Sequence, residues 1–90
     1  MISLIDLTEN LKKLKNWAVE GSSIVKEKWF QNEAELYNFL VKMKEKCEKE
    51  NHYPNIIVSK NILKIILTTK EKGITEVDFK VAQEIDSIKN

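Results

Sequence analysis

Glu48-Lys49-Glu50-Asn51-His52-Tyr53-Pro54 is where the chain changes character, from a helical pattern to a strand-like one. It holds the only histidine and the only proline among the 90 residues. Proline disfavours the helical region for the residue before it, so Tyr53 is expected to be extended and the helix to end near Asn51 or His52. That places an imidazole at a helix C-terminus, where the macrodipole favours the protonated ring. Glu48, four residues back, lies on the same helical face and within reach. An imidazole, with an ordinary pKa of about 6.5, suits general acid/base work when a carboxylate is near. The plainer reading, a solvent-exposed helix-end histidine, is the one these residues favour by themselves.

Upstream, Asn32 reads as an N-cap, with Glu33 and Glu35 in the first turn of a long helix. Leu36, Leu40, Met43 and Cys47 form its apolar stripe, widened by Tyr37, Phe39 and Val41. Its last turns, from Lys44 to Glu50, are charged and solvated. Further back, Trp17–Glu20 and Ser23–Phe30 flank Gly21-Ser22 and predict a hairpin, with Gly21 supplying the positive φ of the turn. Neither alternating set of the second arm is wholly apolar, so its core face is not evident. Leu4, Leu7, Leu11 and Leu14 predict an amphipathic first helix, capped by Ser3 with Asp6 three residues on. Trp17 is expected to pack that helix onto the sheet.

Downstream, Asn55–Ser59 is a short β-branched run, Lys60-Asn61 a turn, and Ile62–Thr69 the strongest strand of the chain. Leu63, Ile65 and Leu67 face one side of it and Ile62, Lys64, Ile66 and Thr68 the other. Apolar side chains on both faces suggest a central strand, or one whose second face meets another subunit. After the polar loop Lys70–Gly73, Thr75 with Asp78 three residues later opens a last helix buried through Phe79, Ala82 and Ile85. The order α-β-β-α-β-β-α predicts an α+β fold: a four-stranded antiparallel sheet with three helices on one face, in a single domain over residues 1–90. Trp17, Phe39, Leu40, Ile65 and Leu67 are expected in its core.

Composition narrows the function. Fifteen basic and fourteen acidic side chains give a formal net charge of +1, which is no footprint for nucleic acid or an anionic membrane. No apolar run is long enough to cross a bilayer, and the first residues do not resemble a signal peptide. One cysteine, Cys47, cannot form an internal disulfide, which fits a cytoplasmic protein. With one histidine and one cysteine, no zinc site is expected within a single chain.

The ordered set of segments resembles the pterin-4a-carbinolamine dehydratases, also called 4a-hydroxytetrahydrobiopterin dehydratases. The resemblance rests on the leucine-rich first helix leading to Trp17, the strand ending in Trp29-Phe30, and Glu48-x-x-x-His52-x-Pro54. It continues through Leu67-Thr68-Thr69 and Gly73-Ile74-Thr75-Glu76-x-Asp78. It implies loss of water from a 4a-hydroxytetrahydropterin to give the quinonoid dihydropterin, without metal or cofactor. It also implies homodimers formed through the sheets and homotetramers through helices. His52 is the catalytic residue it implies, with Tyr53, Pro54, Lys70 and Asp78 around the substrate. The chain departs from the family at Tyr53 and Lys70, where histidines are usual, and at Lys60, where an aromatic is common. The loop before Asp78 is about one residue shorter than usual. A reduced activity is therefore expected, and the alternative is a non-catalytic binding or assembly module acting through protein contacts. All five site residues are expected to bound one pocket between the end of the second helix and the start of the third.

Overall fold

A computed structural model describes residues 2–89. The elements are α1 (Leu4–Lys12), β1 (Ala18–Glu20), β2 (Ser23–Trp29), α2 (Glu33–Glu50), β3 (Asn55–Ser59), β4 (Ile62–Leu67) and α3 (Glu76–Asp86). This is the α+β order expected from the sequence. The four strands form one antiparallel sheet in the order β1-β2-β4-β3, so β4 is central and β3 is an edge.

Register settles which side chains meet the helices, because residues paired across antiparallel strands share a face. Leu63, Ile65 and Leu67 of β4 are buried and are paired with Lys28, Lys26 and Ile24 of β2. Lysines therefore occupy two core-side positions of β2, which is why its alternation was illegible. Neither is a defect. Lys26 Nζ meets Asp86 of α3 at 2.7 Å. Lys28 Nζ lies 5.6 and 5.4 Å from the ring centroids of Phe30 and Phe39, within cation–π range. Burial first, then the charge of Lys26, lowers the Lys28 amine below the ordinary lysine range.

Helix α2 is capped by Asn32, whose Oδ1 accepts the Glu35 N–H at 2.9 Å. It buries Leu36, Phe39, Met43 and Cys47. Leu40 is only half-buried, while Tyr37 and Val41 are exposed, so the stripe is narrower than the sequence suggested. α1 differs in the same direction: Leu4 and Ile5 are exposed, and Leu7, Leu11 and Leu14 make the contact. A helix of 9 residues at the margin of the fold covers the core with one narrow seam. Trp17 is half-buried, packed against the core with its indole N–H donating to Asp86 at 2.9 Å.

Cys47 has no exposed surface, and burial pushes its thiol up to about 11. The thiolate is the reactive form, so Cys47 should resist a disulfide reagent such as DTNB in native protein and react at once in denaturant. Rapid native labelling would contradict its placement. Because burial raises its folded-state pKa, the stability it contributes is full below about pH 9 and falls as pH rises through about 11.

Candidate functional site

The C-terminal turn of α2 explains how the imidazole is aimed. Asn51 adopts the left-handed region, with φ 49° and ψ 42°. Its N–H donates to Glu48 O at 3.1 Å, and the N–H of His52 reaches back to Cys47 O at 3.3 Å. These are the two bonds of a Schellman ending, which asparagine tolerates better than most residues. The chain leaves the helix one residue before His52, so the ring is off the helical register. It does not pair with Glu48, which is exposed, contrary to what helical spacing suggested. The carboxylate it meets comes from another helix.

That carboxylate is Asp78. His52 Nε2 lies 2.6 Å from Asp78 Oδ1, across a separation of 26 residues. The sheet brings them together. Asn55 opens β3 opposite Ile66 near the end of β4, so the residues before β3 and those after β4 share one end of the sheet. A tight turn then closes on Thr69, whose N–H donates to Gly73 O at 2.8 Å while the Gly73 N–H returns to Thr69 O at 2.9 Å. Gly73 has φ +75° there, a conformation that glycine adopts without strain. The turn delivers Thr75 as the N-cap of α3 and places Asp78 in its first turn.

Asp78 has no exposed surface. Its Oδ2 accepts the Thr75 N–H at 2.8 Å and the Thr69 hydroxyl at 2.9 Å, and its Oδ1 faces the imidazole. A buried carboxylate at a helix N-terminus, supplied with donors on both oxygens, is held in one orientation. The His52 side chain is 17% exposed. The arrangement is an oriented carboxylate–imidazole pair with one edge of the ring toward solvent, able to take up and return a proton.

The remaining expected site residues lie apart from this pair. Tyr53, 52% exposed, and Pro54 line a hollow of about 260 Å³ with Leu40, Met43, Cys47 and Ile56. Tyr53 lies beside α2 and the start of β3, while the His52 ring meets Asp78 of α3. Lys70 is exposed in the turn after Thr69. The five residues thus flank one end of the sheet, and two of them are in contact. Thr69 and Thr75 were not singled out from the sequence as site residues. Their signal is a Thr-Thr strand end followed, past a glycine, by Thr-x-x-Asp.

Comparison with known proteins gives the family. The sequence pattern of the family described as Pterin 4 alpha carbinolamine dehydratase matches residues 2–88. A protein of Nostoc punctiforme, provisionally named pterin-4-alpha-carbinolamine dehydratase, is 36% identical over 90 residues, covering 99% of this chain and 97% of its own. One of Sulfurisphaera tokodaii with the same provisional name is 33% identical over 84 residues, covering 92% and 90%. Among solved structures, the transcriptional coactivator/pterin dehydratase of Brucella melitensis superposes with a TM-score of 0.86 at 26% identity, over 93% of each chain. With the sequence match nearly end to end and the fold shared, the chain belongs to the pterin-4-alpha-carbinolamine dehydratase family.

Proposed function

We propose that this chain dehydrates a 4a-hydroxytetrahydropterin, such as 4a-hydroxytetrahydrobiopterin, to the quinonoid dihydropterin in the cytoplasm, as a step in recycling the tetrahydropterin. The observation that carries the reading is the His52–Asp78 pair at 2.6 Å in a chain of this family. The reaction breaks the bond from C4a to the hydroxyl, removes a proton from a ring nitrogen, and releases water. It is redox-neutral, so it calls for no redox cofactor. The base and the acid both need to work near neutral pH, which suits an imidazole.

One imidazole suffices for the proton balance. It takes the ring-nitrogen proton and returns it to the departing hydroxyl. Where two groups share the work the transfers can be concerted, whereas a single group performs them in turn. The lack of histidines at Tyr53 and Lys70 therefore argues for a slow enzyme. Tyr53 and Pro54 offer an aromatic face and an apolar rim to a flat pterin. Lys70 stands at the position of the missing second acid/base. Lys70→His should raise the dehydration rate, measured on hydroxyl-pterin generated enzymatically in situ. An unchanged or lower rate in a folded variant would count against this division of roles.

Assembly as a homodimer or homotetramer belongs to the same reading, with residues 1–90 acting as one domain. The edge strand β3 exposes Ile56, Ile57 and Val58, and Trp29 on β2 is 67% exposed. Ile57 and Trp29 share the sheet face that α1, α2 and α3 leave open, by the pairing of Ile57 with Lys64 and Trp29 with Ile62. Such apolar surface on a small domain favours self-association. Sedimentation equilibrium at micromolar concentration should show at least twice the chain mass of 10.5 kDa. A purely monomeric distribution would refute it.

A further inference from the structure

Two hydroxyls stand behind the His52–Asp78 pair, and counting their hydrogens gives every bond a direction. The Thr69 hydroxyl lies 2.9 Å from Asp78 Oδ2 and 2.7 Å from the Thr75 hydroxyl. Each hydroxyl has one hydrogen. That of Thr69 goes to the carboxylate, which can only accept. The Thr75 hydroxyl must then be the donor to Thr69 Oγ1, and its approach of 3.4 Å to Asp78 Oδ2 is a contact without a hydrogen. The Thr75 backbone N–H completes Oδ2 at 2.8 Å, leaving Oδ1 to the imidazole. Oδ1, like Oδ2, can only accept, so Nε2 carries the hydrogen between them. Among the described residues Nδ1 has no protein partner, and no side-chain nitrogen or oxygen is buried without one. Nδ1 is therefore the atom of the ring that solvent or a ligand reaches.

We propose that Asp78, steadied by the Thr69 hydroxyl, is a positioning residue that holds His52 as the Nε2–H tautomer and makes Nδ1 the atom that carries the proton in catalysis. This rests on the dehydratase reading. The chain runs Thr75 O–H to Thr69 Oγ1, Thr69 O–H to Asp78 Oδ2, and Nε2–H to Asp78 Oδ1. Asp78 itself, fully covered and supplied on both oxygens, does not contact the substrate. The bare Nδ1 accepts from an N–H donor, as the ring nitrogen of a tetrahydropterin is. Protonated, it becomes the donor that the leaving hydroxyl needs.

Because His52 is the only histidine, its two ring nitrogens give one pair of imidazole signals in a 15N-labelled protein. At a pH where the ring is neutral, the wild type should show a protonated Nε2 and a bare Nδ1. In Asp78→Asn the amide oxygen stays toward the Thr69 and Thr75 donors and its NH2 faces the ring, so the tautomer should invert to Nδ1–H. The dehydration rate should then fall by about 10²-fold or more. Thr69→Val leaves an accept-only oxygen facing Nε2, so the tautomer should stay while the loosened carboxylate lowers kcat by about 10-fold with KM little changed. Thr69→Ser should restore the rate. A wild-type ring in the Nδ1–H form overturns the proposal, as does a folded Asp78→Asn variant that keeps the wild-type tautomer, whatever the activity. A wild type with the Nε2–H ring that does not accelerate dehydration sinks the dehydratase reading while leaving the ring's orientation by Asp78 standing.

Discussion

Asp86→Ala should destabilise the fold by about 3–5 kcal/mol, the usual effect of breaking a buried ion pair from one side. Asp86 and Lys26 are only 7% and 11% exposed, at 2.7 Å. The same carboxylate accepts the Lys15 N–H and the Trp17 indole N–H, each at 2.9 Å. Lys26 also donates to Lys15 O at 3.0 Å and lies 5.8 Å from the centroid of the Trp17 ring. One side chain of α3 thus fastens the connection between α1 and β1 to the core side of the sheet. Its loss leaves a covered ammonium and two donors without an acceptor, and those unmet groups carry the cost. Asp86→Asn, which keeps an acceptor, should lose less. Urea unfolding that shifts by under about 1 kcal/mol for Asp86→Ala would show the cluster to be a solvated surface pair instead.

His52→Gln should reduce the catalysed rate by about 10²–10⁴-fold, the contribution expected of a general acid/base. Glutamine is the informative replacement. Alanine would strip Asp78 Oδ1 of the one partner it has among the described residues and add about 1–3 kcal/mol of instability, confusing two effects. A helix-end imidazole looks dispensable to packing when read from sequence. Its bond to a fully buried carboxylate makes it part of the fold as well. The glutamine amide can still donate to Oδ1, yet it does not exchange a proton near neutral pH. Near-equal thermal midpoints with a collapsed rate are the expected result. A His52→Gln variant as fast as wild type would remove His52 from the chemistry.

The fold was legible because its punctuation is local. Asn32, Gly21 and Thr75 each sit where backbone chemistry favours such a residue, and β4 alternates cleanly between buried and half-buried positions. What could not be read were long-range partnerships. Nothing in the alternation of β2 says that Lys26 will meet Asp86, 60 residues away, so a core-side lysine looked like noise. His52 appeared to belong to Glu48 because helical spacing was assumed to persist through Asn51. A left-handed asparagine breaks that spacing, and Asp78, which the sequence placed at the same pocket, proves to be the direct partner. Pro54 marked the boundary correctly but not the direction of the side chains on either side of it. The breadth of apolar faces was overread on α1 and α2 for a related reason. A small domain has too little interior to cover every leucine and tyrosine its helices carry.

The most direct test of the central claim is the rate of water loss from a 4a-hydroxytetrahydropterin generated in situ, with protein far below substrate. The reaction also proceeds unaided, so the quantity that matters is the increment proportional to protein concentration. The wild type should give such an increment, saturable in substrate and abolished in folded His52→Gln. A rate equal to the spontaneous one at every protein concentration would contradict the account and leave the chain a dehydratase-like binding module.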